Sequence, residues 1–165
     1  MPIKNKHNIP EDVKRTVISI VRGQERRRQD YANEYDDIMN GSSVPFVEYV
    51  ETDSKGNLKQ ARAYLPKGKA NHISSTESKA LALQKLNEKK ETLRMKTVDE
   101  ELNKIGEDIA DIKSRRQLSN AIYLNCINRS YTYERAALPC FISRKKFYQY
   151  RNEFLYRVAK KLELI

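Results

Sequence analysis

The chain of 165 residues has no tryptophan, only two cysteines and only two histidines. Two cysteines, Cys126 and Cys140, cannot staple a disulfide-rich scaffold. They read as reduced thiols of a cytosolic protein, with Cys126 in the core. His7, His72, Cys126 and Cys140 are scattered without CxxC or HxxxH spacing, so no structural zinc site and no cofactor is expected. Five glycines and five prolines are too few for an all-β sandwich joined by tight turns. Long hydrophobic runs are missing too. The apolar stretch Val17-Ile18-Ser19-Ile20-Val21 falls far short of the ~20 residues that span a bilayer, so no membrane partner is expected. The opening Met1-Pro2-Ile3-Lys4-Asn5-Lys6-His7 carries charge without an apolar core and does not read as a secretory signal.

Hydrophobic residues are 39% of the chain and charged residues 33%. With glycine added, the apolar share still lies a little below the usual ~45–50%, and the charged share exceeds the usual ~25%. The core should therefore be small for the length, with exposed helix or linker making up the rest. Ten tyrosines suit wet surfaces, where a ring and a hydroxyl both find use.

Acid is what the last third lacks. The net charge is +10, and residues 111–165 hold 12 Lys and Arg against 4 Asp and Glu, whereas residues 1–110 hold 20 against 18. A basic segment with interleaved tyrosines points to a polyanion partner, and a solvated basic surface is the plainer alternative. Its apolar residues are periodic, which favours a folded domain over a disordered arm.

Along the chain, residues 10–39 read as one helix. Pro10 suits a first helical position, and Glu11 and Asp12 suit the positive end of the dipole. Val13, Val17, Ile20, Val21, Tyr31, Tyr35 and Ile38 keep roughly one face, broken by Gln24 and Arg28. Arg26-Arg27-Arg28 sits among matching acids and reads as a self-paired surface. Val17, Gln24, Tyr31 and Ile38 recur every seven residues and offer a dimer contact. After the stop signal Asn40-Gly41-Ser42-Ser43, residues 41–75 form a linker or a small hairpin: Phe46–Val50 alternates, Asp53–Asn57 is turn chemistry, and Lys59–Leu65 returns. Pro66–Lys69 continues the loop. Ser74, Ser75 or Thr76 can cap a helix running to about Lys90. A further helix is expected over 97–113, with Val98, Leu102, Ile105, Ile109 and Ile112 as a heptad-type seam that Gly106 interrupts. Residues 76–113 are thus a helical, possible oligomerisation region.

The last fifty residues carry the function. Leu118, Ala121, Ile122, Leu124, Cys126 and Ile127 form an apolar helix, broken at Asn128-Arg129-Ser130. Thr132–Leu138 reads as a short helix, Pro139-Cys140-Phe141-Ile142 as a turn, and Ser143 as the cap of a helix from Arg144 to about Leu162. That is a helix-turn-helix layout. On a helical wheel, Phe147, Tyr150, Phe154, Leu155, Val158 and Leu162 share a buried stripe. Lys145, Tyr148, Gln149, Asn152, Tyr156 and Lys160 lie opposite. Gln and Asn pair with adenine in the major groove, and Lys and Arg reach guanine or phosphate. Ser143 and the free amides at the helix start suit a backbone phosphate. The candidate DNA-binding residues are Ser143, Arg144, Lys145, Lys146, Tyr148, Gln149 and Asn152. Arg151 falls on the buried flank, where an ion pair with Glu134 is expected.

The run Ser130–Leu138, followed by Ile142-Ser143-Arg144-Lys145-Lys146-Phe147-Tyr148-Gln149-Tyr150-Arg151-Asn152-Glu153-Phe154-Leu155, resembles the helix-turn-helix of sigma-factor region four as reused in small phage regulators. The ending is similar to that of ArpU/RinA-type phage transcriptional activators of Gram-positive bacteria. The resemblance covers about residues 115–165, and Pro139-Cys140-Phe141 is bulkier than the short glycine-containing turn usual in that family. It implies a phage or prophage regulator at work in the bacterial cytoplasm.

The expected fold is mainly α. It comprises an N-terminal helix over 1–40, a linker or hairpin over 41–75, the helical region 76–113 and a helix-turn-helix domain over 114–165 that binds DNA. The expected function is sequence-specific transcription regulation on double-stranded DNA as a homodimer, with RNA polymerase as a further contact of the N-terminal helices. A DNA-packaging protein of the small-terminase type is the alternative, since it also joins this motif to an oligomerising region. Catalysis is not expected. Asp36/Asp37, Asp99/Glu100/Glu101 and Glu107/Asp108 sit on charge-balanced helical stretches, where adjacent acids point about 100° apart, and neither a phosphate loop nor a Ser/His/Asp pattern is visible.

Overall fold

The computed structural model describes residues 8–40, 46–52, 58–64, 75–136 and 142–165. Among them the chain is mainly α-helical. The elements are α1 (Glu11–Arg22), α2 (Gln24–Met39), β1 (Phe46–Thr52), β2 (Leu58–Tyr64), α3 (Ser75–Glu88), α4 (Lys90–Asn103), α5 (Ile112–Ile127) and α6 (Arg144–Lys161). The sequence readings at 41–43, 53–57, 66–69, Ser74 and 137–141, together with His7, His72 and Cys140, lie outside the described residues.

The chain divides into two compact units, one of residues 1–29 with 90–165 and one of residues 30–89. This division cuts across the four segments expected from sequence, because α1 belongs with the basic C-terminal helices rather than standing as a region of its own. In the unit of residues 30–89, β1 and β2 pair antiparallel, with Phe46 opposite Tyr64 and Thr52 opposite Leu58. The Tyr31 hydroxyl donates to Asn87 Oδ1 at 3.3 Å, and Lys79 Nζ donates to the Met39 carbonyl at 2.8 Å. Leu86 is buried, while Tyr35, Met39 and Leu81 stay exposed.

The larger unit owns the main core. α6 packs against α1, α4 and α5, and α5 also packs against α1 and α4. Phe147, Phe154, Leu155, Val158 and Ala159 of α6 are buried together with Val17, Ile20 and Val21 of α1, Val98 and Leu102 of α4, and Leu118, Ala121, Ile122 and Cys126 of α5. Burying a Phe, Leu or Val side chain stabilises by about 1.5–3 kcal/mol. Val17 and Gln24 are wholly buried inside this unit, so these two residues of the seven-residue stripe offer no surface to a second copy. Gln24 sits in the core because its Nε2 donates to the Met95 carbonyl at 2.8 Å.

Two helices expected from periodicity are each divided at a glycine. The 10–39 helix ends at Gly23 and restarts at Gln24, with Pro10 as the N-cap rather than the first helical residue. The Gly23 N–H bonds to the Ile20 and Ser19 carbonyls, and a Cβ there would meet the Arg27 guanidinium at 2.9 Å. The 97–113 helix does not exist as one element. α4 spans Lys90–Asn103, a turn follows, and α5 starts at Ile112. Gly106 has φ +70 within that turn, a left-handed conformation that glycine adopts without penalty. Val98, Leu102 and Ile105 are therefore buried while Ile112 is 66% exposed. Asp111 restarts the helix by accepting the Ser114 N–H at 2.8 Å.

A Gly106→Ala substitution should destabilise the protein by about 1–2 kcal/mol from the left-handed backbone, and its Cβ would in addition meet Ile109 Cδ1 at 3.0 Å. Phe154→Ala should cost about 3–5 kcal/mol. Denaturant titration of each variant beside the parent checks both, and an unchanged midpoint for either contradicts the account of the core.

Candidate nucleic-acid interface

The connection from α5 to α6 aims the basic helix. The helix α5 ends at Asn128, whose N–H bonds to the Leu124 carbonyl, and Asn125 Nδ2 donates to the Tyr131 carbonyl at 2.6 Å. The expected short helix over 132–138 is a single hydrogen-bonded turn at 133–136 among the described residues, with the Ala136 N–H on the Thr132 carbonyl at 3.0 Å. Tyr133 ties this turn to α6, since its hydroxyl donates to the Ile142 carbonyl and its ring lies 5.6 Å from that of Phe147. Ser143 is the N-cap expected from sequence, and its Oγ accepts the Lys146 N–H at 3.3 Å.

The face of α6 away from the core carries much of the expected site. Ser143, Arg144, Lys145, Lys146 and Gln149 are exposed, whereas Tyr148 and Asn152 are half-buried. The Tyr148 ring packs edge-on against Phe147 at 5.2 Å and against the core. Tyr148 thus also contributes to the packing of the helix. Tyr150, expected in the buried stripe, is also half-buried, and its hydroxyl donates to Asp108 at 2.7 Å. Arg135, next to Glu134 in the connecting turn, is an exposed cation outside the sequence-based set.

Two first-turn cations are already paired. Arg144 Nη1 lies 3.2 Å from Glu134, and Lys146 Nζ lies 3.2 Å from Asp108 and 5.4 Å from the centre of the Tyr150 ring. The Tyr150 hydroxyl and Lys146 hold the Asp108 carboxyl below its ordinary range, outweighing its slight burial. Lys145 has no ion-pair partner among the described residues. Glu134 therefore pairs with Arg144, not with Arg151 as expected. Arg151 lies beside Cys126 instead, and its Nε is buried without a partner. Burial pushes the Cys126 thiol up, against the opposing pull of Arg151 and Arg22.

Further along α6, Glu101 of α4 is 1% exposed and gathers Lys104 at 2.9 Å, Arg157 at 2.7 Å and Lys161 at 3.1 Å. Burial pushes the Glu101 carboxyl up, but its bonds to Lys104, Lys161 and Arg157 outweigh that and hold it below its ordinary range. Arg27 and Arg28 of α2 are likewise spent on acids of α4, namely Glu91 at 2.5 Å and Asp99. The Asp99 bond raises the Arg28 pKa despite some burial. A groove of about 830 Å³, lined by Arg28, Asp99, Arg115, Arg116, Asn120 and Tyr123 among others, contains no α6 residue. Burial and a hydrogen bond to Glu25 push Tyr123 up to about 12. Among the described residues, no group of three or more His, Cys, Asp or Glu side chains is placed to hold a metal, and no helix is long and apolar enough to cross a membrane. In comparisons with family models, curated proteins and solved structures, nothing matches the chain.

Glu101→Gln should destabilise the protein at neutral pH by about 1–3 kcal/mol, the cost of leaving buried polar partners unmatched. A carboxyl held low contributes fully above its unfolded pKa, and that contribution is lost as pH falls through the folded value. The gap between parent and variant should therefore close in acid. Denaturant titrations at neutral and acidic pH check it, and a gap that persists in acid argues against the charge as its source.

Proposed function

We propose that the chain is a sequence-specific DNA-binding transcription regulator of the ArpU/RinA-like phage type, with α6 entering the major groove. One observation carries this reading. α6 is buried along one side and presents Ser143, Arg144, Lys145, Lys146 and Gln149 to solvent on its first two turns, at the end where recognition helices meet base edges and phosphates. The charge excess of residues 111–165 supports it, because the acids elsewhere are largely matched by cations. Among the described residues, Glu91, Glu100, Glu101, Asp108, Asp111 and Glu134 are held below their ordinary range by cations, hydroxyls and backbone amides. Such groups favour ion pairing over general-acid work, which needs a raised carboxyl.

In this reading Gln149 and Lys145 read bases, Asn152 assists from a half-buried position, and Ser143, Arg144 and Lys146 hold phosphates. One helix in one groove covers few base pairs, so a homodimer on two half-sites supplies the specificity. RNA polymerase is the further partner that an activator of this type contacts.

The test is titration of the full chain on a duplex selected from random DNA and on a scrambled duplex. Gln149→Ala should cost about 1–3 kcal/mol on the selected duplex and relax the preference at one position. Lys146→Ala should weaken binding to both duplexes alike and lower the slope of log K against log salt by up to about 0.9. If the parent selects no sequence and binds neither duplex, the reading is wrong.

A further inference from the structure

The first turn of α6 holds three consecutive cations, yet two of them are neutralised from opposite sides of the chain. Glu134 reaches Arg144 from the turn after α5, and Asp108 reaches Lys146 from the turn before α5, both at 3.2 Å. These acids are not core residues. The Glu134 and Asp108 side chains are 55% and 57% exposed, so packing does not require them. Glu134 lies 9 residues before the α6 cap and Asp108 lies 38 residues before Lys146. Asp108 is held twice over, by Lys146 and by the Tyr150 hydroxyl. It also lines a groove of about 390 Å³ beside Lys146, Gln149, Tyr150 and Glu153. The acid thus sits on the flank of the helix surface proposed to meet DNA.

Resting on that proposed function, we infer that Asp108 and Glu134 are intramolecular competitors for the phosphate-holding cations of α6, which lower affinity for DNA of any sequence. A phosphate that takes Lys146 or Arg144 must displace a carboxylate that stays tethered a few ångströms away. The freed carboxylate repels the phosphate and gathers a cation, so fewer counterions are released on balance. Exposed ion pairs are weak enough to open on contact, so each acid restrains binding without blocking it. Sequence-independent binding rests on phosphate contacts, so the restraint falls on bulk DNA in full. Base contacts made by Gln149 lie outside it. Lys145, which has no such acid among the described residues, is the first-turn cation available from the outset.

The experiment compares the full-length parent with Asp108→Asn and Glu134→Gln, isosteric changes at exposed positions that keep an acceptor for Tyr150 and the turn. Each is titrated on the selected and the scrambled duplex over a range of salt, with circular dichroism to confirm folding. Each variant should bind both duplexes about two- to five-fold more tightly, the fold-change equivalent of an exposed ion pair. Its salt slope should steepen by up to about 0.9, and the ratio between the two duplexes should stay as in the parent. The double variant should add the two gains. Binding equal to or weaker than the parent's, with the parent itself bound, overturns the inference and makes the acids positioning groups for Lys146 and Arg144. Failure of the parent and both variants to bind any duplex overturns the DNA-binding reading itself.

Discussion

The larger unit depends on covering one side of α6. Phe147, Phe154, Leu155, Val158 and Ala159 are all buried, and no single neighbouring helix is wide enough to cover them. Three do so together. α5 comes from just before α6, α4 from further upstream, and α1 from the other end of the chain. The basic segment therefore shares its core with α1 and α4. A cut between α4 and α5 would remove α1 and α4 from the side of α6 that they now cover. The same closure determines the polar face, since which residues of α6 remain exposed depends on where α1 and α4 lie.

Charge is arranged around that packing. All four acids of α4 are matched across an interface: Glu91 with Arg27, Asp99 with Arg28, Glu100 with Lys161 and Glu101 with Arg157. Glu101, the one buried carboxylate among the described residues, receives three cations, which is the condition under which a buried charge is tolerable. After this matching, Lys145 and Arg135 near the start of α6 have no ion-pair partner among the described residues. Asp108 and Glu134 pair with Lys146 and Arg144 there, so the surface is a restrained cationic face rather than a uniform basic patch.

Much of α6 was legible before any coordinates. Its cap, its start at Arg144, the buried set Phe147, Phe154, Leu155 and Val158, and the exposed positions Lys145 and Gln149 follow from a period of 3.6 and an N-cap serine. The core position of Cys126 was legible for the same reason. The seams at 13–38 and 98–112 misled because apolar spacing persists through a break. Ile105, Ile109 and Ile112 keep helical spacing, yet Gly106 turns the chain between the first and the last of them. The mistaken pairing of Arg151 with Glu134 has a similar origin, because side chains several turns apart in sequence have no register until the connecting turn is built.

Local pattern by itself determined that the chain is mainly helical, that its last third is basic, and that α6 has one apolar and one polar side. These properties belong to residues within a turn or two of each other, where backbone geometry sets the spacing. Tertiary structure decided what no local period encodes. It placed α1 with α4, α5 and α6, drew Gln24 into the core through Met95, and buried Glu101 among cations. It also packed the Tyr133 ring against Phe147 and set Asp108 and Glu134 against the first turn of α6. Each of these joins side chains far apart in sequence or in turns of irregular backbone, and their meeting depends on how helices cross once the shared core has closed.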